Sequence, residues 1–283
     1  MPPASPAQRT APGVGVGAVV VTVAAWVAGL LVVLAQIVYS MTDPGARLTT
    51  TVVSVVAFAV ASVCDATARF GVRAAGRLVL VAGGGGLLAE TAGVHTGFPF
   101  GAYRYTGTLG SEVLGVPVVV PLAWVMMAWP ALLVGRALAA AVRTERPPWL
   151  VVLSGAWALA SWDVFLDPQM VDAGHWVWAH PTPGLPGVAD VPLTNFAGWL
   201  LVAVLMVLSL HRGLPPAPSP AELDPRSGPA PLLYLWIYVS SVWAHAAFFD
   251  RPSVSLVAGV LMGLAAVPFA VVLWRTRSCR TPR

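Results

Sequence analysis

Lysine is missing from this chain altogether, and with it most of the charge that a water-soluble protein carries. The sixteen cationic residues are all arginine, and charged residues make up 10% of the 283 positions. A soluble globular chain carries about 25%, so this one cannot clothe a surface in water. Cysteine is nearly absent too. Cys64 and Cys279 are the whole supply, too few for a disulfide framework or a four-ligand zinc site, and no disulfide is expected. The formal charge of +4 and the pI near 9.6 invite a nucleic-acid reading. The arginines, however, fall in short clusters between apolar runs and form no basic stripe interleaved with aromatics. No nucleic-acid partner is expected.

What the chain has in abundance is apolar length: 57% of it is hydrophobic and its mean hydropathy is +0.77. A helix crossing lipid needs about 20 apolar residues. Eight runs qualify, at 14–39, 49–66, 77–94, 116–138, 149–166, 195–211, 232–249 and 253–274. The second, third and sixth are short or glycine-rich, so seven is the alternative count. The first run is far longer than the apolar core of a cleavable leader, about 7–15 residues, and reads as a span. The expected fold is an all-α, polytopic membrane helix bundle. One integral-membrane domain over 14–274 is flanked by a disordered tail at 1–13 and a basic tail at 275–283. Within it, 212–231 is so rich in proline (Pro215, Pro216, Pro218, Pro220, Pro225, Pro229, Pro231) that it reads as a cytoplasmic linker.

Arginine orients the bundle. With both termini in the cytoplasm, thirteen arginines fall inside: Arg9, Arg69, Arg73, Arg77, Arg136, Arg143, Arg146, Arg212, Arg226, Arg275, Arg277, Arg280 and Arg283. Only Arg47, Arg104 and Arg251 fall outside, as the positive-inside rule requires. The expected location is the inner cell membrane. In the third span, Gly83 to Gly86 form a run that would weaken a helix in water by about 1 kcal/mol per residue. In a membrane bundle small residues let helices approach closely, and tight packing is the favoured reading over room for an apolar ligand.

The informative residues are those that do not belong in lipid. Glu90 lies near the end of span three, Asp163 and Asp167 flank the end of span five, Asn195 opens span six, and His245 and Asp250 close span seven. All of these ends share the outer face with two polar loops, 95–115 and 167–194. A carboxylate near a span end can simply reach water, and Trp176, Trp178, Trp199 and Trp243 suit an interfacial aromatic belt. Glu90 and Asp163 are harder to set aside, because a charged side chain at mid-helix depth costs about 2.5–3.5 kcal/mol on insertion scales. A carboxylic acid in an apolar setting holds its proton and can donate it. Indole and phenol faces can stabilise a developing cation. Together these elements amount to acid-catalysed addition to an alkene.

Two long blocks carry a resemblance. Thr96-Gly-Phe-Pro-Phe-Gly-Ala-Tyr-Arg-Tyr-Thr106 is followed by Gly115-Val-Pro-Val-Val-Val-Pro-Leu-Ala-Trp124. Further on come Trp162-Asp-Val-Phe-Leu-Asp-Pro-Gln-Met170, Gly174-His-Trp-Val-Trp178 and Pro192-Leu-Thr-Asn195, with Trp199 after them. This pattern resembles the membrane carotenoid hydratases of the CruF type, over spans three to six at least. The resemblance implies addition of water across the terminal C1–C2 double bond of an acyclic (ψ) carotenoid end, giving a tertiary alcohol. Substrates in such a family include γ-carotene, lycopene-type ends and C50 bacterioruberin precursors. The implied partners are that carotenoid in the bilayer, membrane lipids and other carotenoid-pathway membrane enzymes, and no cofactor or metal is implied.

On the residues' own chemistry, Asp163 or Glu90 donates the proton. Trp162, Trp124 or Tyr103 holds the cation, and Asp167, His175 or Asn195 places the water. Arg104, Tyr105, Trp176 and His245 complete the expected positioning set. Four rivals compete with this reading. Asp163-x-x-x-Asp167 has the spacing of a diphosphate-magnesium motif, but no second acidic motif accompanies it. A membrane lycopene-type cyclase starts from the same protonation and differs in what captures the cation. A histidine-box di-iron enzyme fits poorly, since His175 and His180 lie five apart. A non-enzymatic carotenoid or lipid carrier would tolerate neutral isosteres at Glu90 and Asp163. The topology has its own test: a reporter fused after Arg143 is expected to read cytoplasmic, and a signal from the opposite side inverts the assignment.

Overall fold

The computed structural model describes residues 16–142, 147–215, 224 and 227–278. The N-terminal tail with Arg9, then Arg143, Arg146 and Arg226, most of the linker prolines and Cys279 to Arg283 lie outside the described residues. Eight long helices follow one another: α1 (Val16–Met41), α2 (Arg47–Phe70), α3 (Val72–Thr96), α4 (Val119–Val142), α5 (Pro148–Asp172), α6 (Leu193–Gly213), α7 (Ala230–Ala247) and α8 (Pro252–Ser278). The fold is an all-α polytopic membrane bundle. Among the described residues, seven helices are long and apolar enough to cross a membrane. The one outside that set is α7, with 18 residues, and not one of the three short or glycine-rich runs. Those three extend to helices of 24, 25 and 21 residues. Helix α7 falls short because it exchanges aliphatic residues for Tyr234, Trp236, Tyr238, Ser240, Ser241, Trp243 and His245.

Two helices form the centre. The apolar window of α4 is 78% buried and that of α5 is 67%, against 28% for α1. Helix α4 packs on α2 and α5, α5 also packs on α6 and α8, α1 rests on α2, and α7 on α8. The outer helices turn their aliphatic faces outward, as lipid demands. Arg136, expected in a cytoplasmic segment, is inside α4 and buried. Its Nη2 donates to the Pro215 carbonyl at 3.1 Å, and its guanidinium lies 5.5 Å from the Phe70 ring.

A carboxylate that residue order gives no reason to single out fastens the end of the bundle remote from the two polar loops. Asp65 on α2 is fully buried. It accepts from Trp129 Nε1 of α4 at 2.8 Å, from the Ala230 backbone N–H at 3.0 Å and from Arg69 one turn along. Arg69 in turn donates to the Gly228 carbonyl at 3.0 Å. Ala230 opens α7, so Asp65 satisfies one of the amide groups that a helix start leaves unpaired, from a different helix.

At the other end two short ribbons close over the helices. Strand β1 (Tyr103–Tyr105) pairs antiparallel with β4 (Trp176–Trp178), and β2 (Glu112–Val113) with β3 (Val116–Pro117). The glycine run in α3 has a specific purpose. The helix widens to π-helical geometry over Val79–Gly84, and Gly83 and Gly86 face α4. A Cβ on Gly86 would sit 2.6 Å from the Trp124 indole, and one on Gly83 would be 3.2 Å from Val125, whereas Gly85 has nothing within 4 Å. Tight packing holds, with the space at Gly86 filled by Trp124. Gly86→Leu is therefore expected to destabilise the protein by about 1–3 kcal/mol through overpacking, while Gly85→Ala leaves it unchanged. Thermal unfolding of both variants in detergent checks this.

Candidate active site

Helix α5 runs unbroken through Pro168 to Asp172, so Asp163 and Asp167 lie one turn apart on one face. The first turn of α6 brings Asn195 against them. Its Nδ2 donates to Asp163 Oδ2 at 2.9 Å and also to Asp167 Oδ2. Asparagine's amide nitrogen has two hydrogens, and both are committed here. Asp163 Oδ1 is buried without a hydrogen-bond partner.

Glu90 on α3 is treated differently. Its Oε1 accepts from Trp124 Nε1 at 3.0 Å, and its Oε2 from the hydroxyls of Tyr105, at 2.9 Å, and Tyr103. The two tyrosines come from the three-residue strand β1. Strand side chains alternate, so Tyr103 and Tyr105 turn inward while Arg104 turns out to solvent. The register pairs Tyr103 with Trp178, Arg104 with Val177 and Tyr105 with Trp176. Four aromatic rings thus face the interior, and Arg104 and Val177 face away. Burial first, and the Glu90 carboxylate second, push both phenols well above the usual tyrosine range, so they remain protonated donors.

These groups open on a cavity of about 460 Å³. Glu90, Tyr103, Tyr105, Trp124, Trp162, Asp167, Trp176 and Asn195 all line it. Trp199, read from the sequence as a belt residue and as part of the resemblance but not placed in the site, is its central aromatic. Its ring stacks on Trp124 at 3.9 Å and 15°, with Trp162 edge-on at 6.0 Å. Gly198 beside it admits the Pro99 carbonyl, which a Cβ would approach to 2.6 Å.

Four predicted residues stand elsewhere. Asp163 lies behind Asp167, fully enclosed and off the cavity wall. Arg104 points into solvent, away from the cavity. His245 is buried on α7 but turns away from the cavity, with Nδ1 2.9 Å from the Ser241 carbonyl and its ring 5.3 Å from Phe165 and from Phe249. His175 braces the ribbon and does not line the cavity. Its Nδ1 lies 2.8 Å from Thr108 Oγ1, its backbone N–H donates to the Met170 carbonyl at 2.9 Å, and its carbonyl accepts from Thr106 N at 3.1 Å. It ties the end of α5 to the ribbon. Among the described residues, no three His, Cys, Asp or Glu side chains gather as a metal-ligand set.

Residues 48–267 match the family described as carotenoid biosynthesis protein. A bisanhydrobacterioruberin hydratase of Haloarcula japonica is 34% identical over 128 residues, which cover 44% of this chain and 40% of that protein. The matched stretch is thus less than half of that relative's length. No solved structure matches the chain.

Burial pushes the His175 imidazole below the usual histidine range. In the unfolded chain it takes up a proton near pH 6.5, where the folded protein still keeps it neutral. Stability is therefore lost as the pH falls below about 6.5, because the unfolded state binds the extra proton. The melting temperature of wild type is expected to drop more steeply between pH 7 and 5 than that of His175→Gln, and parallel curves would show that His175 is not responsible.

Proposed function

The chain belongs to the carotenoid biosynthesis protein family, and from that premise we propose that it is a hydratase of acyclic carotenoid ends, working without a redox step in the inner cell membrane. The observation that carries this reading is a pair of carboxylates clamped by one amide, one of them, Asp167, at the wall of an aromatic, apolar cavity. Nothing in that setting suits a water-soluble substrate. A hydrocarbon with a reactive terminal alkene does suit it, and the hydratase named among the relatives points to water as the second reactant.

The hydrogen bonds divide the acids into two roles. Glu90 already accepts from three donors, which suits an anion. The aspartate pair receives two hydrogens for four oxygens, which leaves a place for a shared proton. Asp167, on the cavity wall, delivers that proton to the less substituted carbon of the terminal double bond. The π bond breaks toward the new C–H bond, and a tertiary cation forms at C-1. The indole faces of Trp199, Trp124 and Trp162 and the charge of Glu90 stabilise it. Water adds to the cation, its surplus proton passes to Glu90, and return of that proton to the aspartates restores the site. Asp163 acts behind Asp167 as its proton partner and positions it. The sum is alkene plus water to alcohol, with no oxidant or reductant.

Expression in bacteria that accumulate lycopene, followed by pigment mass spectrometry, tests the proposal. Wild type is expected to add one or two waters with the visible spectrum unchanged, because the terminal alkene lies outside the conjugated system. Asp167→Asn is expected to lower the hydrated pigment by about 10²–10⁴-fold at equal protein level, the usual worth of a general acid. Tyr105→Phe, which removes one of three donors, should cost less. An unchanged mass with a shifted retention time would indicate cyclisation instead, and pigment that is bound but unaltered would indicate a carrier.

A further inference from the structure

The cavity has a second wall that the acid chemistry does not touch, formed by α1, α2 and α7. Several large apolar side chains on it are at the same time exposed: Ile37 at 45% and Met41 at 78% on α1, Val239 at 60% and Trp243 at 65% on α7, and Phe248 at 48% just past its end. A residue can line a cavity and face outward together only at its mouth, so the mouth lies between α1 and α7. On one side of it the two helices are fastened. Trp236 Nε1 donates to Gln36 Oε1 at 2.7 Å, and the Gln36 amide passes on to Ser54 Oγ at 3.2 Å. Further along, a Cβ on Gly29 would meet Pro229 at 3.1 Å. On the other side Tyr39 packs edge-on to Phe249 at 5.8 Å, with the Arg47 guanidinium 5.2 Å from both rings.

We propose that this gap is a lateral portal, through which one end of an acyclic polyene slides from the bilayer to the acids while the rest of the chain stays between α1 and α7. The proposal rests on the carotenoid reading of the site and adds the route and the pose. The ribboned end is tied together by hydrogen bonds. There Trp178 donates to the Phe100 carbonyl at 3.0 Å, and Tyr103 and Tyr105 are tied to Glu90. Pockets of about 300–1,000 Å³ enclose most of a drug-sized ligand, so about 460 Å³ holds a terminal segment. A conjugated chain is too stiff to coil inside, and what does not fit must leave by the mouth. The portal opens on the flank where the remaining hydrocarbon is already dissolved.

Ser240 on α7 lines the mouth, and Ser240→Trp closes it. Leu264 on α8 is 62% exposed and away from the cavity, so Leu264→Trp adds the same bulk where it should not matter. In lycopene-accumulating cells, Ser240→Trp is expected to lower the hydrated pigment at least about tenfold at equal protein level, with Leu264→Trp at the wild-type level. A second measurement needs no turnover. A benzophenone side chain placed at Val239, in the Asp167→Asn background, is expected to capture lycopene on illumination, and one at Leu264 is not. Full hydration by Ser240→Trp, or equal capture at both positions, overturns the portal. Capture at Val239 by a protein whose wild type never hydrates lycopene would instead overturn the functional reading and leave the portal standing.

Discussion

The interior of this bundle has no water to spare for its polar groups, and that shortage dictates where the helices can meet. In lipid each buried donor or acceptor must find its partner within the protein, and a carboxylate most of all. The acids accordingly sit at junctions. Asp65 joins α2 to α4 and to the start of α7. Glu90 joins α3 to α4 and to the ribbon. Asp163 and Asp167 join α5 to α6 through Asn195. The apolar surface between these junctions is generic and would accept many helix arrangements, but the hydrogen bonds accept few. Some buried polar atoms are nonetheless left without a partner, Asp163 Oδ1 among them, together with Ser161 Oγ and Trp176 Nε1.

The same economy separates the two kinds of acid. A carboxylate surrounded by three donors has its oxygens filled with hydrogen bonds, and a pair sharing one amide has a vacancy. Both sit within reach of one aromatic cavity, at whose centre an indole stack replaces the hydration that a cation would have in water. Asp65 is the contrast. It is equally buried, but it is committed to Arg69, an indole and a helix start, and it does not line this cavity. Burial alone thus does not place an acid on a cavity wall. What distinguishes Asp167 is the open wall beside it.

Much of this is legible in residue order. Hydropathy alone locates the eight helices, and the four-residue spacing of Asp163 and Asp167 forecasts a shared face. Tyr-Arg-Tyr and Trp-Val-Trp are period-two patterns, and that period by itself sends Arg104 outward, against its expected place in the positioning set. Other features depend on depth and rotation, which a sequence does not encode. Nothing in Trp-Asp-Val-Phe-Leu-Asp says that the second aspartate meets the cavity and the first stands behind it. His245 and Trp243 are two residues apart, and only the roll of α7 decides that one is buried off the wall and the other stands at the mouth. Asp65 reads as an ordinary acid at a helix end because its partner amide is more than a hundred residues away.

The position of the cavity's mouth on the flank changes what concentration means for this protein. A solute that reaches the acids by that route diffuses in two dimensions, and its abundance is counted per lipid and not per litre. Lipid composition, chain order and the thickness of the hydrocarbon layer then govern how often an end presents itself, and a detergent micelle that packs differently around α1 and α7 is a different reaction vessel.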